Sequence, residues 1–210
     1  SYSNTTGFYL SSLGYNSLLN NTTGSYNTGI GHEALRGNTT ADHNTGLGYA
    51  AGYAITTGAG NTAIGSQALR ATTTGAANSA SGYAALFTNV TGDSNTAQGF
   101  GALYLNTASS NSAVGAYSLF NNSSGRYNVA VGNDALYSNT TANSNTAVGY
   151  QAGYSNTIAN GNTAVGYKAL YSSNRTSDTN GSNTAVGVYA GQNMTNDQFN
   201  VCIGGDYTVG

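Results

Sequence analysis

The chain has 210 residues, and Leu, Ile, Val and Phe together make up only 33 of them, about 16%, below the roughly 20% of chains with a conventional core. Disorder would normally follow, but it goes with high net charge, and here 5 Lys+Arg against 7 Asp+Glu leave −2, with 6% charged residues. So few cations exclude the basic clusters that hold nucleic acid or anionic membrane surfaces, and no apolar run approaches the length of a membrane span.

What remains is rich in Gly (30), Asn, Thr, Ser, Ala and Tyr (17), without Pro or Trp. That is material for short extended segments and many turns. One glycine column runs through the whole chain: Gly14, Gly31, Gly48, Gly65, Gly82, Gly99, Gly115, Gly132, Gly149, Gly166, Gly187 and Gly204, spaced by 17 except for one 16 and one 21. The consensus is N-T-A-V-G-Y-x-A-L-Y-x-N-T-T-G-x-x, and its positions are numbered 1 to 17 below. Two-helix repeats need 33 residues or more, and a glycine in every unit opposes helix. The expected fold is all-β, a β-solenoid (β-roll) of about twelve 17-residue coils forming one repeat domain over 1–210 and associating into oligomers.

In chain order, the pattern is already running at Ser3-Asn-Thr-Thr-Gly7. Each unit then predicts a first strand over N-T-A-V-G-Y, a second over A-L-Y, and a turn at N-T-T-G where Gly takes positive φ. Position 2 is hydroxylic, from Thr28 and Thr45 to Thr163 and Thr184. Position 3 is small, from Gly29 and Ala63 to Ala185 and finally Cys202. Position 4 is aliphatic, broken only by Ser81 and Gln98.

A strand sends alternate side chains to opposite faces. The small set can line a narrow lumen, leaving Ile30, Leu47, Ile64, Val114, Val131, Val148, Val165, Val186 and Ile203 outside as a self-association ladder. The reverse arrangement puts the aliphatic set inside and the Ala/Gly face in water. Aromatic columns follow at position 6 (Tyr15, Tyr49, Tyr83, Phe100, Tyr150, Tyr167) and position 10 (Tyr53, Phe87, Tyr104, Phe120, Tyr137, Tyr154, Tyr171). They read either as a strip for sugars or subunit docking, or as rings that close the coil edge.

The N-T-A-V-G-Y-x-A-L units with N-T-T-G turns resemble repeats of phage and giant-virus tail fibres and of bacterial surface proteins. They are also similar in style to the β-roll heads of trimeric autotransporter adhesins, whose repeat is shorter. The resemblance covers nearly the whole chain and brings no catalytic residues. It implies an extracellular fibre at a cell surface, in a secreted filament or on a virion, usually homotrimeric and presenting surface for attachment, with cell-surface glycans as the candidate ligand.

Chemistry-bearing residues are sparse, and neither an enzyme nor a cofactor or metal is expected. His32 and His43 lie eleven apart. The carboxylates Glu33, Asp42, Asp93, Asp134, Asp178, Asp197 and Asp206 are scattered over different coils, where Asp caps its own turn. Cys202 reads as a small buried hydrophobe, with an intermolecular disulfide as the alternative.

Sequons mark Asn21, Asn38, Asn89, Asn122, Asn139, Asn174 and Asn193 as candidate glycan acceptors at turns expected to face water. Thr ladders, one over Thr22, Thr39, Thr56, Thr73, Thr107, Thr140 and Thr157 and its neighbour over Thr23, Thr40, Thr57, Thr74, Thr91 and Thr141, raise ice binding as the alternative function. A four-residue insertion falls around Asn174–Gly181. Neither end shows a cap, so the sequence reads as a fragment of a longer fibre or as a subunit that stacks end to end into a filament.

Overall fold

The computed structural model describes residues 3–174, 180–195 and 198–205. Twelve strands of three residues form one parallel sheet in strict chain order. They are β1 (Ser11–Leu13), β2 (Thr28–Ile30), β3 (Thr45–Leu47), β4 (Thr62–Ile64), β5 (Ser79–Ser81), β6 (Thr96–Gln98), β7 (Ser112–Val114), β8 (Val129–Val131), β9 (Thr146–Val148), β10 (Thr163–Val165), β11 (Thr184–Val186) and β12 (Val201–Ile203). Successive strands pair like with like, as in Thr45↔Thr62, Gly46↔Ala63 and Leu47↔Ile64. The chain is a β-solenoid of about eleven turns, and eleven steps of about 4.8 Å make a rod roughly 53 Å long.

Each coil has one strand, not the two expected. The A-L-Y segment is a run of overlapping turns: the Ala34 N–H donates to Gly31 O, Arg36 N–H to Glu33 O and Asn38 N–H to Leu35 O. Glu33 and Leu35, third residues of the first two turns, have φ of 58° and 50°, as a type II turn requires. Leu recurs in this left-handed conformation at Leu69, Leu86, Leu103, Leu119, Leu136 and Leu170. Such a conformation costs of order 1–3 kcal/mol for a non-glycine residue and persists only where surroundings over-determine it. Here each Leu is fully buried, and its N–H donates across to a neighbouring coil, as Leu136 does to Ala152 O.

The lumen is filled by these leucines with the alanines of positions 3 and 8, including Ala63, Ala68, Ala80 and Ala85. The Ala/Gly set is therefore inside and the aliphatic ladder outside. At position 5 the walls come close: a Cβ on Gly132 (φ 135°) would sit 2.4 Å from Gly149 O, which explains why that column is invariably glycine.

Two columns of asparagine are buried beside the apolar lumen. At position 1 each side-chain oxygen accepts the N–H of the next coil's asparagine, and the amide donates to a carbonyl at position 15. Asn128 Oδ1 accepts the Asn145 N–H at 3.0 Å, and its Nδ2 donates to Ala142 O at 2.8 Å. At position 12 the amides stack directly, Asn139 Nδ2 donating to Asn122 Oδ1 at 2.7 Å and to Ala142 O at 3.1 Å.

The second ladder ends at Asn156, because Ser173 stands where the next asparagine would. Asn156 Oδ1 is buried and, among the described residues, lacks a hydrogen-bond partner. Gly153, Asn156, Leu170 and Ser173 border a void with about 10 Å³ of room, the size of one water. Elsewhere a glycine at position 9 is compensated by an apolar residue at position 12: Ile55 lies against Gly52, and Met194 against Gly191.

The insertion's residues 175–179 lie outside the described residues, as do Asp178, Asp197 and Asp206. The chain regains its register at once, since the Asn183 N–H donates to Asn162 Oδ1 across the longer coil.

Because a buried polar group left unpaired costs about 1–3 kcal/mol, Asn122→Ser is expected to destabilise by about 2 kcal/mol. Ser173→Asn, which extends the ladder onto Asn156, is expected to stabilise by about 1 kcal/mol. Urea denaturation of the two variants and wild type checks both signs.

Candidate interaction surface

The outer face of the sheet carries positions 2 and 4 of every strand, with position 6 along its edge. Between them position 3 is buried, so hydroxylic and aliphatic columns stand side by side over a layer of alanine. Ile30, Leu47, Ile64, Val131, Val148 and Val186 are 37–44% exposed while Ala63 and Ala130 beneath them are at 0%. Val114 and Val165 are half-buried, and Ile203, on the last strand, is 79% exposed. Every residue expected in the self-association ladder thus lies on this one face. Ser81 and Gln98 interrupt it on neighbouring strands.

The aromatic columns are stacks. Phe87, Tyr104, Phe120, Tyr137, Tyr154 and Tyr171 lie face to face with centroids 5.0–5.5 Å apart. This matches the coil rise, so the solenoid itself sets the spacing. Cations lengthen the column: Arg36 and Arg70 lie 5.4 and 5.6 Å from the Tyr53 centroid, and Lys168 lies 5.1 Å from that of Tyr171. The Arg36 guanidinium also donates to the Tyr53 hydroxyl and pairs with Glu33 at 3.6 Å.

At position 6, Tyr15, His32 and Tyr49 stack, as do Tyr83 with Phe100 and Tyr150 with Tyr167. A third column that sequence reasoning missed joins Tyr9, Tyr26 and His43. Its signal, an aromatic residue at position 17, fades after two coils and returns only at Tyr127 and Phe199. In all three columns the inner rings have neighbours over both faces, so edges and hydroxyls are what they offer to solvent.

His32 and His43 belong to different stacks and are not brought together. Among the described residues, no three of His, Cys, Asp and Glu converge. Asp42 and Asp93 cap the preceding coil, not their own turn: Asp42 Oδ1 accepts the Ser25 N–H and Asp93 Oδ1 the Ala76 N–H, each at 2.7 Å. Cys202 is half-buried in β12, its Sγ 3.5 Å from Met194 Sδ.

The asparagines expected on solvent-facing turns lie elsewhere. Asn21, Asn38, Asn89, Asn122 and Asn139 are wholly buried in the position-12 ladder, and a glycan on any of them would break it. Hydropathy reads asparagine as a surface residue, and nothing in one unit shows that the next coil supplies an amide partner. Asn174 is half-buried and accepts from the Thr157 hydroxyl, and Asn193 is exposed.

The first Thr ladder is likewise part of the wall. Thr22, Thr39, Thr56, Thr107 and Thr140 donate their hydroxyls to the next coil's carbonyls at 2.7–3.2 Å. The neighbouring column, Thr23, Thr40, Thr57, Thr74, Thr91 and Thr141, is exposed throughout, in single file, whereas in the first ladder only Thr107 is.

No known protein family, curated protein or solved structure matches the chain.

The Tyr154 phenol is held above its ordinary pKa of 10.0, first by burial and then by the negative charge that Tyr137, Tyr171 and Asp134 can place beside it. A raised value favours the neutral phenol in the folded state. Its contribution to stability is complete below pH 10.0 and is lost as pH rises through the folded value. Tyr154→Phe, which keeps the ring stack, is expected to lose less stability than wild type between about pH 9 and 11, measured by denaturation midpoints at each pH.

Proposed function

We propose that the protein is a non-enzymatic structural subunit of an extracellular fibre or filament, joined to other copies of itself through the aliphatic ladder and the aromatic column beside it. The observation that carries this reading is the outer face of the sheet. Eight of the twelve position-4 residues on it are exposed aliphatics, and they form two apolar strips, parted at Ser81 and Gln98, along a rod whose charged residues are only 6% of the chain. Contiguous exposed apolar strips of this kind mark association surfaces on soluble proteins.

An apolar strip repeated at every coil is suited to a partner with the same period, and a second copy of the chain has that period by construction. The setting we propose is outside the cell, at a cell surface, in a secreted filament or on a virion, by the resemblance of the N-T-A-V-G-Y units. Adhesion is the use that fits such a fibre. A glycan meeting the aromatic columns would find ring edges and hydroxyls, so recognition would be by hydrogen bonding at the rims instead of face-on stacking.

Replacing Val131 and Val148 together by Lys puts charge into the strip without touching the lumen, and exposed substitutions usually stay within about 0.5 kcal/mol. The pair is expected to abolish association while leaving the far-ultraviolet spectrum and melting temperature of the rod intact. Sedimentation velocity and electron micrographs of wild type and variant check this, and a monomeric wild type would sink the reading.

A further inference from the structure

The position-4 ladder is not uniform along the rod, and its irregularities have a symmetry. Before the polar interruption it reads Leu13, Ile30, Leu47, Ile64; after it, Val114, Val131, Val148, Val165. The first four strands carry the larger aliphatics and the five after the interruption carry valine, until Ile203 on β12. Ser81 and Gln98 stand between them on β5 and β6.

We infer that two copies pack outer face to outer face with their rod axes antiparallel, about a two-fold axis that lies along the strand direction between β5 and β6. This rests on the self-association proposed above and assigns its geometry. The operation lays β5 of one copy over β6 of the other, so each Ser81 meets Gln98 of the second copy. A hydroxyl and an amide then satisfy one another in the middle of an apolar strip, where an unmatched polar group would be costly.

On either side, Ile64 faces Val114, Leu47 faces Val131, Ile30 faces Val148 and Leu13 faces Val165, larger against smaller at every step. Facing pairs of similar combined volume fill a gap of constant width without voids. The in-register parallel arrangement also matches polar with polar, but it sets Leu and Ile against themselves in one half and Val against Val in the other, so the gap would have to taper. Sliding the antiparallel pair by one coil opposes Gln98 to Ile64 or Ser81 to Val114.

Ten overlapping coils of about 4.8 Å, across three extended residues of about 3.4 Å, cover roughly 490 Å² per copy, about 980 Å² in total, near the roughly 1,000 Å² that a specific interface needs. Such a two-fold contact is self-complementary and closed.

The test uses a Cys202→Ser background, which is free of thiols, with Ile64→Cys and Val114→Cys made separately. Facing sheets lie about 10 Å apart, too far for a disulfide, so a short bis-maleimide is the probe. The antiparallel pair predicts covalent dimer when the two variants are mixed and almost none from either variant alone. Homotypic cross-linking, or no cross-linking in a protein that sediments as an oligomer, overturns the antiparallel register while leaving self-association standing. A protein that sediments as a monomer overturns both.

Discussion

The structure depends on the buried asparagine amide. Only three residues per coil are extended, so most of the backbone must turn, and every turn presents N–H and C=O groups that a sheet ladder cannot reach. At position 1 the amide closes this deficit in up to three ways: it accepts the N–H of the asparagine in the next coil, donates to a carbonyl near position 15, and at Asn78, Asn95, Asn128 and Asn145 its Nδ2 also reaches the oxygen of the amide before it. Each link spans about one period, so the same contact that satisfies one coil fixes the spacing of the next. A Leu, Ile, Val and Phe content of about 16% suffices because the lumen is narrow, lined mainly by alanine with one leucine in most coils.

The same constraint explains the conformations at the corners. Leucine in the left-handed region and glycine with φ near 130° are what a chain adopts when inter-coil hydrogen bonds decide where its carbonyls point. Twenty-eight described non-glycine residues have positive φ, too many to be local accidents. They recur at positions 7, 9 and 17, and the neighbouring coil's hydrogen bonds hold most of them.

What the sequence made legible follows from periodicity. The glycine spacing pointed to the solenoid and its coil length, and the alternation of small residues at position 3 with aliphatics at position 4 separated two faces, of which the structure puts alanine inside and valine outside. What stayed hidden depends on contacts between coils. A-L-Y reads as a strand by propensity, since nothing local to Leu136 announces a φ of 49°. Asn122 and Asn139 read as exposed sequons because their burial is repaid only by identical residues one coil away. Thr22 and Thr39 looked like a free hydroxyl array, yet their hydroxyls belong to carbonyls of the next coil.

Strict repetition carries a cost of its own at the surface. A perfectly periodic apolar face would bind a second copy equally well at every coil offset, with no preferred register, the condition under which strands slip and aggregate. The ladder escapes this by being imperfect. Ser81 and Gln98 penalise offsets that bury them against aliphatic residues, and the change from Leu and Ile to Val gives the face a direction. Inside the lumen, by contrast, two departures are compensated within the coil, Ile55 against Gly52 and Met194 against Gly191, while Gly153 and Ser173 leave a small void. On the outer face the irregularity distinguishes one end from the other, which is what the proposed pairing of two copies requires.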